Sequence, residues 1–454
     1  MPRAIALLIC LAFVSALLWM ERKRRGKQSW DVWLPTLWIL YCATRPITYW
    51  FGTGTVISDA GYNVESGNPL ERITLSIMIT AAMVILANKK VDWRQVFHDN
   101  LWLMVLFGYM FVSIVWSEFP FVSLKRWIRT AGTVLIALVL LTSARPLEAL
   151  ESVFIKTAYI LVPISVVLVK YFQEYGVTYN KWSHIAMWQG VTLTKNTLGV
   201  LCMVSVLFLV WSMIRRWRGS EPRTGRLVWL ADVIVIAQAL WLLRGPGGAY
   251  SASSVGALIL GLGTFLVLYC TKGIEKRLDR LVILGLTASG LIILLGQILD
   301  FSPLALATSL VGRDPTLTGR TDDIWAPLFK IALENPVLGL GFGGFWVRPV
   351  ADVDVNEAHN GYLEVFIQLG VFGVLLLLAL IVSFYWKAKR EFAKNKDWGT
   401  LRLAILIIAV LHNFTETSWI GDVMLLWNLF VCLAIVHPRS VLGEEERMGD
   451  PAYA

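Results

Sequence analysis

A histidine, His359, stands at the end of a long polar loop and at the start of an apolar run, where an ionisable group, water and lipid would meet. From it the chain reads His-Asn-Gly-Tyr-Leu-Glu-Val-Phe-Ile-Gln-Leu-Gly-Val-Phe-Gly, so nine residues separate His359-Asn360 from Gly370 and two more separate Gly370 from Gly373. A neutral imidazole can take a proton from an alcohol near pH 7, and guanidinium groups clamp a diphosphate through paired hydrogen bonds. The polar residues expected at the same water-facing rim are Lys125, Arg126, Arg129, Lys195, Asn196, Arg244, Arg313, Arg320, His359, Asn360, His412, Asn413 and Glu416. Together they supply the parts of a glycosyl transfer from a diphosphate leaving group. The phosphate charge would be met by guanidinium rather than by metal, since the nearest acidic pair, Asp352-Val-Asp354, lacks a ligand-like context and no metal site is expected.

Each group also has a plainer use. A histidine at a helix start can serve only to cap backbone amides, and outer arginines can serve only to engage lipid phosphates. Arg45, beside Pro46, is expected to snorkel towards the surface, and Asp232 to find a partner inside the bundle or to reach water on the inner side.

The elements that must position these groups are apolar helices. With 56% hydrophobic and 16% charged residues, 21 Trp and a mean hydropathy of +0.62, the 454-residue chain exceeds the apolar share of soluble globules and reads as an all-α, polytopic membrane bundle. Thirteen apolar runs are visible: 5–20, 32–51, 73–87, 101–116, 127–142, 153–172, 197–214, 227–243, 255–270, 281–299, 362–386, 401–414 and 420–436. About 12 to 13 transmembrane helices are therefore expected. Several runs are shorter than the roughly 20 residues that span hydrocarbon, and 127–142 and 401–414 need flanking residues to complete a crossing.

Lys and Arg are retained on the cytoplasmic side, which orients the alternating segments. Segments 21–29, 88–100, 143–152, 215–226, 271–280 and 387–400 hold 23 of them, against 11 in the opposite set, which includes 300–361. The long loop is thus expected outside. The +9 formal charge is topology rather than a nucleic-acid surface, and Arg22 to Lys27 is an anchor for the first run. That run, Met1 to Met20, has a signal-like length but its positive cluster follows it, so a retained helix with an outer N-terminus is expected. The five cysteines lie within apolar segments without CxxC spacing, as packing residues do. Four regions follow: 1–299, N-terminal transmembrane helices; 300–361, an outer loop; 362–436, C-terminal transmembrane helices; and 437–454, a cytoplasmic tail.

A loop of 62 residues is too long to be structureless. Thr321 can cap a helix whose first turn carries Asp322 and Asp323, and Asn335-Pro336 stops it. Ile324, Leu328 and Ile331 form its apolar row, which suits an amphipathic helix at the membrane interface. Pro327 would kink or shorten it. The Gly339-Leu-Gly-Phe-Gly-Gly344 run has the spacing of a dinucleotide loop but no strand-helix context, and reads as a flexible turn back to the membrane.

His359-Asn360 with Gly370 and Gly373 resembles the signature of the O-antigen ligase and polymerase superfamily, including its exopolysaccharide polymerases of the ExoQ type. Thr318-Gly-Arg-Thr-Asp-Asp-Ile-Trp325 and Glu334-Asn-Pro-Val-Leu-Gly-Leu-Gly-Phe-Gly343 resemble the blocks that precede the histidine in that family. Ser117-Glu-Phe-Pro120, Ser123-Leu-Lys-Arg126, Lys195-Asn-Thr-Leu-Gly199 and Asn413-Phe-Thr-Glu-Thr-Ser418 resemble further blocks of the exopolysaccharide branch. Two segments depart from the pattern: Thr-Leu-Thr precedes Lys195 in place of a histidine-ending stretch, and no serine precedes Arg244.

The resemblance implies a GT-C-like membrane glycosyltransferase on the periplasmic face of the bacterial inner membrane, needing no cofactor. Its donor would be an undecaprenyl-diphosphate-linked oligosaccharide and its acceptor a second glycan or lipid A core, with membrane lipid around it and polysaccharide export or chain-length proteins as partners. By the same resemblance His359 activates the acceptor hydroxyl, Arg320 and Arg244 hold the diphosphate, and Asn360, Arg126, Lys195 and Glu416 support them. Polymerisation of a surface polysaccharide is preferred to ligation onto lipid A core. A flippase or secondary transporter would instead carry ionisable residues and broken helices near mid-membrane, often in two related halves. A membrane scaffold would tolerate loss of His359.

Overall fold

The computed structural model of the protein describes residues 1–25, 32–51, 68–89, 91–180, 184–219, 225–247, 249–298, 320–350, 353, 355–421 and 423–435. The helices used below are α1 (Arg3–Arg25), α2 (Trp33–Cys42), α3 (Pro69–Ala87), α4 (Leu101–Val112), α5 (Pro120–Leu141), α6 (Pro146–Tyr171) and α7 (Lys195–Trp217). They continue as α8 (Arg226–Arg244), α9 (Ala252–Cys270), α10 (Leu278–Ile298), α11 (Ala326–Ala332), α12 (Gly361–Lys394), α13 (Lys396–His412) and α14 (Leu425–Ala434). One short antiparallel ribbon joins them, Val177–Tyr179 paired with Ala186–Trp188. The protein is a polytopic helical membrane protein.

Each of the thirteen expected runs contains a helix, but they do not all cross alone. Among the described residues, α1, α3, α6, α7, α8, α9 and α12 are long and apolar enough by themselves, seven in all; Trp93–Asp99 with Leu101–Trp116, bent by 92°, makes up to eight. The ten-residue α2 and α14 rise only about 15 Å, half of the roughly 30 Å hydrocarbon core. Arg45-Pro46 interrupts the run expected over 32–51, because the proline ring restricts the residue before it and supplies no N–H.

The chain divides into two compact units, interleaved in sequence. The first comprises Met1–Gly108, Leu124–Ile259 and Ile420–Ala454. Its centre is α6, against which α1, α2, α7 and α8 all pack, so that α6 is buried around most of its circumference and is apolar on most faces. Pro146 begins α6 where an N–H would lack a partner anyway, with Glu148 in the first turn and Lys170 in the last matching the helix dipole. In α7, Thr194 and Thr197 form a reciprocal capping box that places Lys195 as the first helical residue.

Buried charges tie the helix ends of this unit together. Glu151 on α6 receives Arg24 at 3.2 Å, Arg25 at 2.9 Å and Arg215 at 2.6 Å, while Asp232 pairs with Arg216 and accepts from Tyr159. Asp232 therefore has its partner inside the bundle. Segments that the Lys and Arg counts assigned to one side meet here, and at the opposite ends Arg3 pairs with Glu174 at 2.9 Å. Arg45 does not snorkel. It is 5% exposed and donates to the carbonyls of Tyr175 and Gly190, each at 2.6 Å, and Thr192 at 3.1 Å, because the break at Pro46 turns its guanidinium inward onto free backbone acceptors.

The second unit comprises Tyr109–Ser123 and Leu260–Trp419. Its core is the antiparallel pair of α12 and α13, joined at Asn395, whose side chain caps α13 by accepting from Trp398 N. At their far ends Asp279 accepts from Tyr385 at 2.6 Å and pairs with Lys389, again joining segments assigned to one side. Asp352 and Asp354, Arg313 and the tail from His437 onward lie outside the described residues.

The loop helix is present in altered form. Residues Arg320–Trp325 wind as a wide π-helical turn, followed by α11, in whose first turn Pro327 sits. The wider turn starts the helix at Arg320 rather than after Thr321, and it puts the proline where its missing N–H costs little. Leu328 and Ala332 pack with Leu363 and Ile367 of α12, and Ile324 and Ile331 lie against that cluster, so the apolar row faces the bundle as its spacing predicts.

The glycine run is not a flexible turn. At Gly370, φ is +63° and α12 breaks, leaving backbone groups that the 336–341 strand of chain satisfies. Leu340 N donates to Ile367 O and Gly341 N to Gln368 O, both at 2.9 Å, and Val371 N donates to Pro336 O at 2.8 Å. Tyr109 seals the break by donating to the carbonyls of Leu338 and Leu369. A side chain at Gly370 would overlap Val337 O as well as strain φ. We expect Gly370→Ala to destabilise the protein by about 3 kcal/mol or more, read as a large fall in thermal unfolding temperature in detergent; an unchanged temperature would show that the break is not required.

Candidate functional site

Asn360, not His359, caps α12. Its Oδ1 accepts from Tyr362 N at 3.0 Å and Leu363 N at 3.1 Å, leaving the preceding imidazole without a capping duty. Gly361 N donates to Asn413 O at 2.8 Å and Glu416 O at 3.1 Å, so the start of α12 is stitched to the turn that ends α13. Any side chain at Gly361 would collide with Asn413. Asn413 in turn holds that turn by accepting from Ser418 N at 2.8 Å and Trp419 N at 2.9 Å. The two His-Asn dipeptides thus contribute one asparagine each to joining the helix ends. Replacing Asn360 by Ala should cost about 1 kcal/mol through lost capping, read as a modest drop in unfolding temperature; an unchanged temperature would show that the cap is not needed.

His359 itself has φ of +48°, the left-handed region that non-glycine residues seldom occupy. Its backbone is held from both sides. Trp325 Nε1 donates to Ala358 O at 2.9 Å, and Ala358 N donates to Glu364 at 3.2 Å. Glu364, buried in the first turn of α12, also accepts from Trp346 Nε1 at 2.7 Å and from Gln368. A fully satisfied carboxylate therefore anchors the residue before the histidine.

Around the ring, His359 Nδ1 lies 3.0 Å from Glu357 Oε1 and 3.6 Å from Glu416 Oε2. Nδ1 makes no well-formed hydrogen bond with the Glu357 oxygen, and the Glu416 oxygen lies beyond hydrogen-bond distance, so these contacts act chiefly through charge. Arg320 reaches Glu416 Oε1 at 3.1 Å and donates to Thr415 O. Burial opposes charge on His359, but the Glu357 and Glu416 carboxylates outweigh it and raise the imidazole to about 9. Burial would also raise Glu416, yet His359, Arg320 and His412 together take it down to about 2. In the unliganded protein at neutral pH, an imidazolium thus sits between two carboxylates, not the neutral ring assumed from residue type alone.

Four of the expected site residues, Arg320, His359, Asn360 and Glu416, meet at this point in the second unit. Arg126, Lys195 and Arg244 belong to the first unit. There Lys195, at the start of α7, lines a small open pocket with Trp188, Gly245 and Tyr250. Arg244 is the exposed last residue of α8, beside Gly245 with φ of +65°, and Arg126 lies partly exposed in the second turn of α5. Glu357 was not among the expected residues. Its only signal is the Glu-x-His spacing, and loop residues carry no periodicity that would say which way they face.

Residues 239–378 match the O-antigen ligase family. That span contains Arg244, Arg320, Glu357, His359, Asn360, Gly370 and Gly373, while Arg126, Lys195 and Glu416 fall outside it. Over 328 residues, covering 68% of this chain and 70% of the other, the protein is 22% identical to Exopolysaccharide production protein ExoQ of Rhizobium meliloti (strain 1021). These two similarities support a multi-pass membrane protein of polysaccharide biosynthesis that resembles the O-antigen ligase family over residues 239–378 and an ExoQ exopolysaccharide production protein over 68% of its length.

Proposed function

We propose that the protein is a glycosyltransferase that polymerises an undecaprenyl-diphosphate-linked glycan into a surface polysaccharide, at the periplasmic face of the bacterial inner membrane. The observation that carries this reading is the Arg320–Glu416–His359 cluster at the mouth of α12, within reach of water. The acceptor hydroxyl loses its proton to the imidazole and attacks the anomeric carbon. The bond from that carbon to the diphosphate breaks, and the electron pair leaves on the diphosphate oxygen. With Nδ1 facing the two carboxylates, Nε2 is the nitrogen available to accept the proton. Arg320 neutralises the departing diphosphate by charge-assisted hydrogen bonds. Asn360 acts by fixing the helix start. No step in this scheme is assigned to a metal.

Broken helices occur at Arg45-Pro46 and at Gly370, as a transporter would also show. The family similarity favours an enzyme over that alternative. Ligation onto lipid A core remains the second reading, favoured by the name of the matching family. Purified protein should be incubated with a lipid-linked repeat, with and without lipid A core acceptor. Ladders of repeats formed without core support polymerisation. Product only with core makes the protein a ligase, and no product in either arm removes the glycosyltransferase assignment.

A further inference from the structure

The donor atoms around His359 have a spacing that an ion pair alone does not require. Glu357 Oε1, His359 Nδ1 and a Glu416 oxygen all lie within 4.8 Å of one another, and the two nitrogen-to-oxygen distances are 3.0 and 3.6 Å. Donors on a tetrahedral ion, each at about 2.0–2.1 Å from it, stand roughly 3.3 Å apart, between those two values. At 3.0 and 3.6 Å from the two carboxylates, Nδ1 makes no well-formed hydrogen bond to either.

The surroundings support the same conclusion. Glu416 is 5% exposed, and its other oxygen is held by Arg320, the kind of outer contact that fixes a ligating carboxylate. His412, at the end of α13, is 2% exposed, and neither of its ring nitrogens has a hydrogen-bond partner. It faces the charges of Glu416 and Glu357, with Arg320 also near. An unsatisfied buried imidazole is costly, and a cation between those carboxylates, or a water carried by it, would relieve that cost. Glu357 and His359 keep 35% and 22% of their side chains exposed, so an ion can reach the site from solvent.

We propose that Glu357, His359 and Glu416 form a binding site for a first-row divalent cation of the zinc class. One imidazole nitrogen and two carboxylate oxygens suit such an ion, whereas Mg2+ prefers an all-oxygen octahedron and keeps its waters. Binding does not depend on the proposed glycan transfer, but its consequence does. A cation on Nδ1 leaves the ring proton on Nε2, so the occupied site has no base and transfer stops until the ion is removed.

The test reads binding rather than activity, so its failure is distinct from failure of the transferase assignment. The full chain, purified through a tag without histidine and stripped with EDTA, is titrated with Co2+ and, separately, dialysed against Zn2+. We expect a visible d–d band from Co2+ and one equivalent of retained zinc, with Mg2+ failing to compete. Glu357→Gln and His359→Gln should each weaken zinc binding by at least about tenfold, while His184→Ala and His98→Ala leave it unchanged. Unfolding temperatures close to wild type qualify a variant for comparison, and either ligand variant suffices. Absence of the Co2+ band, or zinc binding that both ligand variants retain in full, overturns the proposal.

Discussion

Replacing His359 by Ala should lower glycan transfer by about 10² to 10⁴ while the protein still folds. The chemical half of this expectation rests on the loss of the imidazole nitrogen that takes the acceptor proton in the proposed reaction. The structural half rests on what the ring does not do. Asn360 supplies the helix cap, Glu364 and Trp325 hold the neighbouring backbone, and Arg320 still neutralises Glu416 when the imidazole is gone. Two costs remain. The imidazolium no longer separates Glu357 from Glu416, and alanine tolerates the positive φ of +48° less well than histidine. His359→Asn avoids the second cost, since asparagine enters the left-handed region readily. Both variants should be folded and inactive; transfer at the wild-type rate in either would remove His359 as the base.

The second large effect concerns pH. With the imidazole raised to about 9, only about one molecule in a hundred carries a neutral ring at pH 7. In EDTA-treated protein the transfer rate should therefore climb nearly tenfold from pH 7 to pH 8, reach half its maximum near pH 9 and level off above it, whereas an ordinary histidine would already stand at about three quarters of its plateau at pH 7. Glu357→Gln removes the nearer carboxylate. It should move the rise to lower pH and increase the rate at pH 7, an opposite sign to that expected for loss of a structural contact. A profile flat from pH 6 to pH 9, or one that Glu357→Gln does not shift, would contradict the assignment.

The same shift sets a stability trend of opposite sense. A raised folded-state value means that protonated His359 stabilises the folded form fully below its ordinary value near 6.5, and that this contribution fades as pH climbs through about 9. Its size is at most about 3 kcal/mol. Glu416 behaves in reverse, contributing above its ordinary range and losing that contribution as pH falls towards 2. Unfolding temperature should thus decline between pH 7 and pH 9 while transfer rises.

Much of this protein was readable from residue order. Apolar runs must leave water, so all thirteen appear as helices, and Lys and Arg positions group their ends correctly: Arg24 and Arg25 meet Glu151 and Arg215, and Lys389 meets Asp279. The 324–328–331 row faces α12 because helical spacing alone puts those side chains on one face. His359 and Glu416 come together because short connections make consecutive helices neighbours.

What the order of residues could not decide is where the backbone breaks and what a charge meets. Composition makes 32–51 one continuous run, yet Arg45 turns inward at its break, and Gly370 splits α12 because a distant segment, 336–341, can complete its hydrogen bonds. Likewise the type of a residue gives a histidine near neutrality, but its proton affinity follows from Glu357 at 3.0 Å and Glu416 at 3.6 Å. Periodicity is local and is written in the chain. Electrostatic energy and backbone satisfaction depend on distances between residues far apart in sequence, and only the folded structure sets those distances.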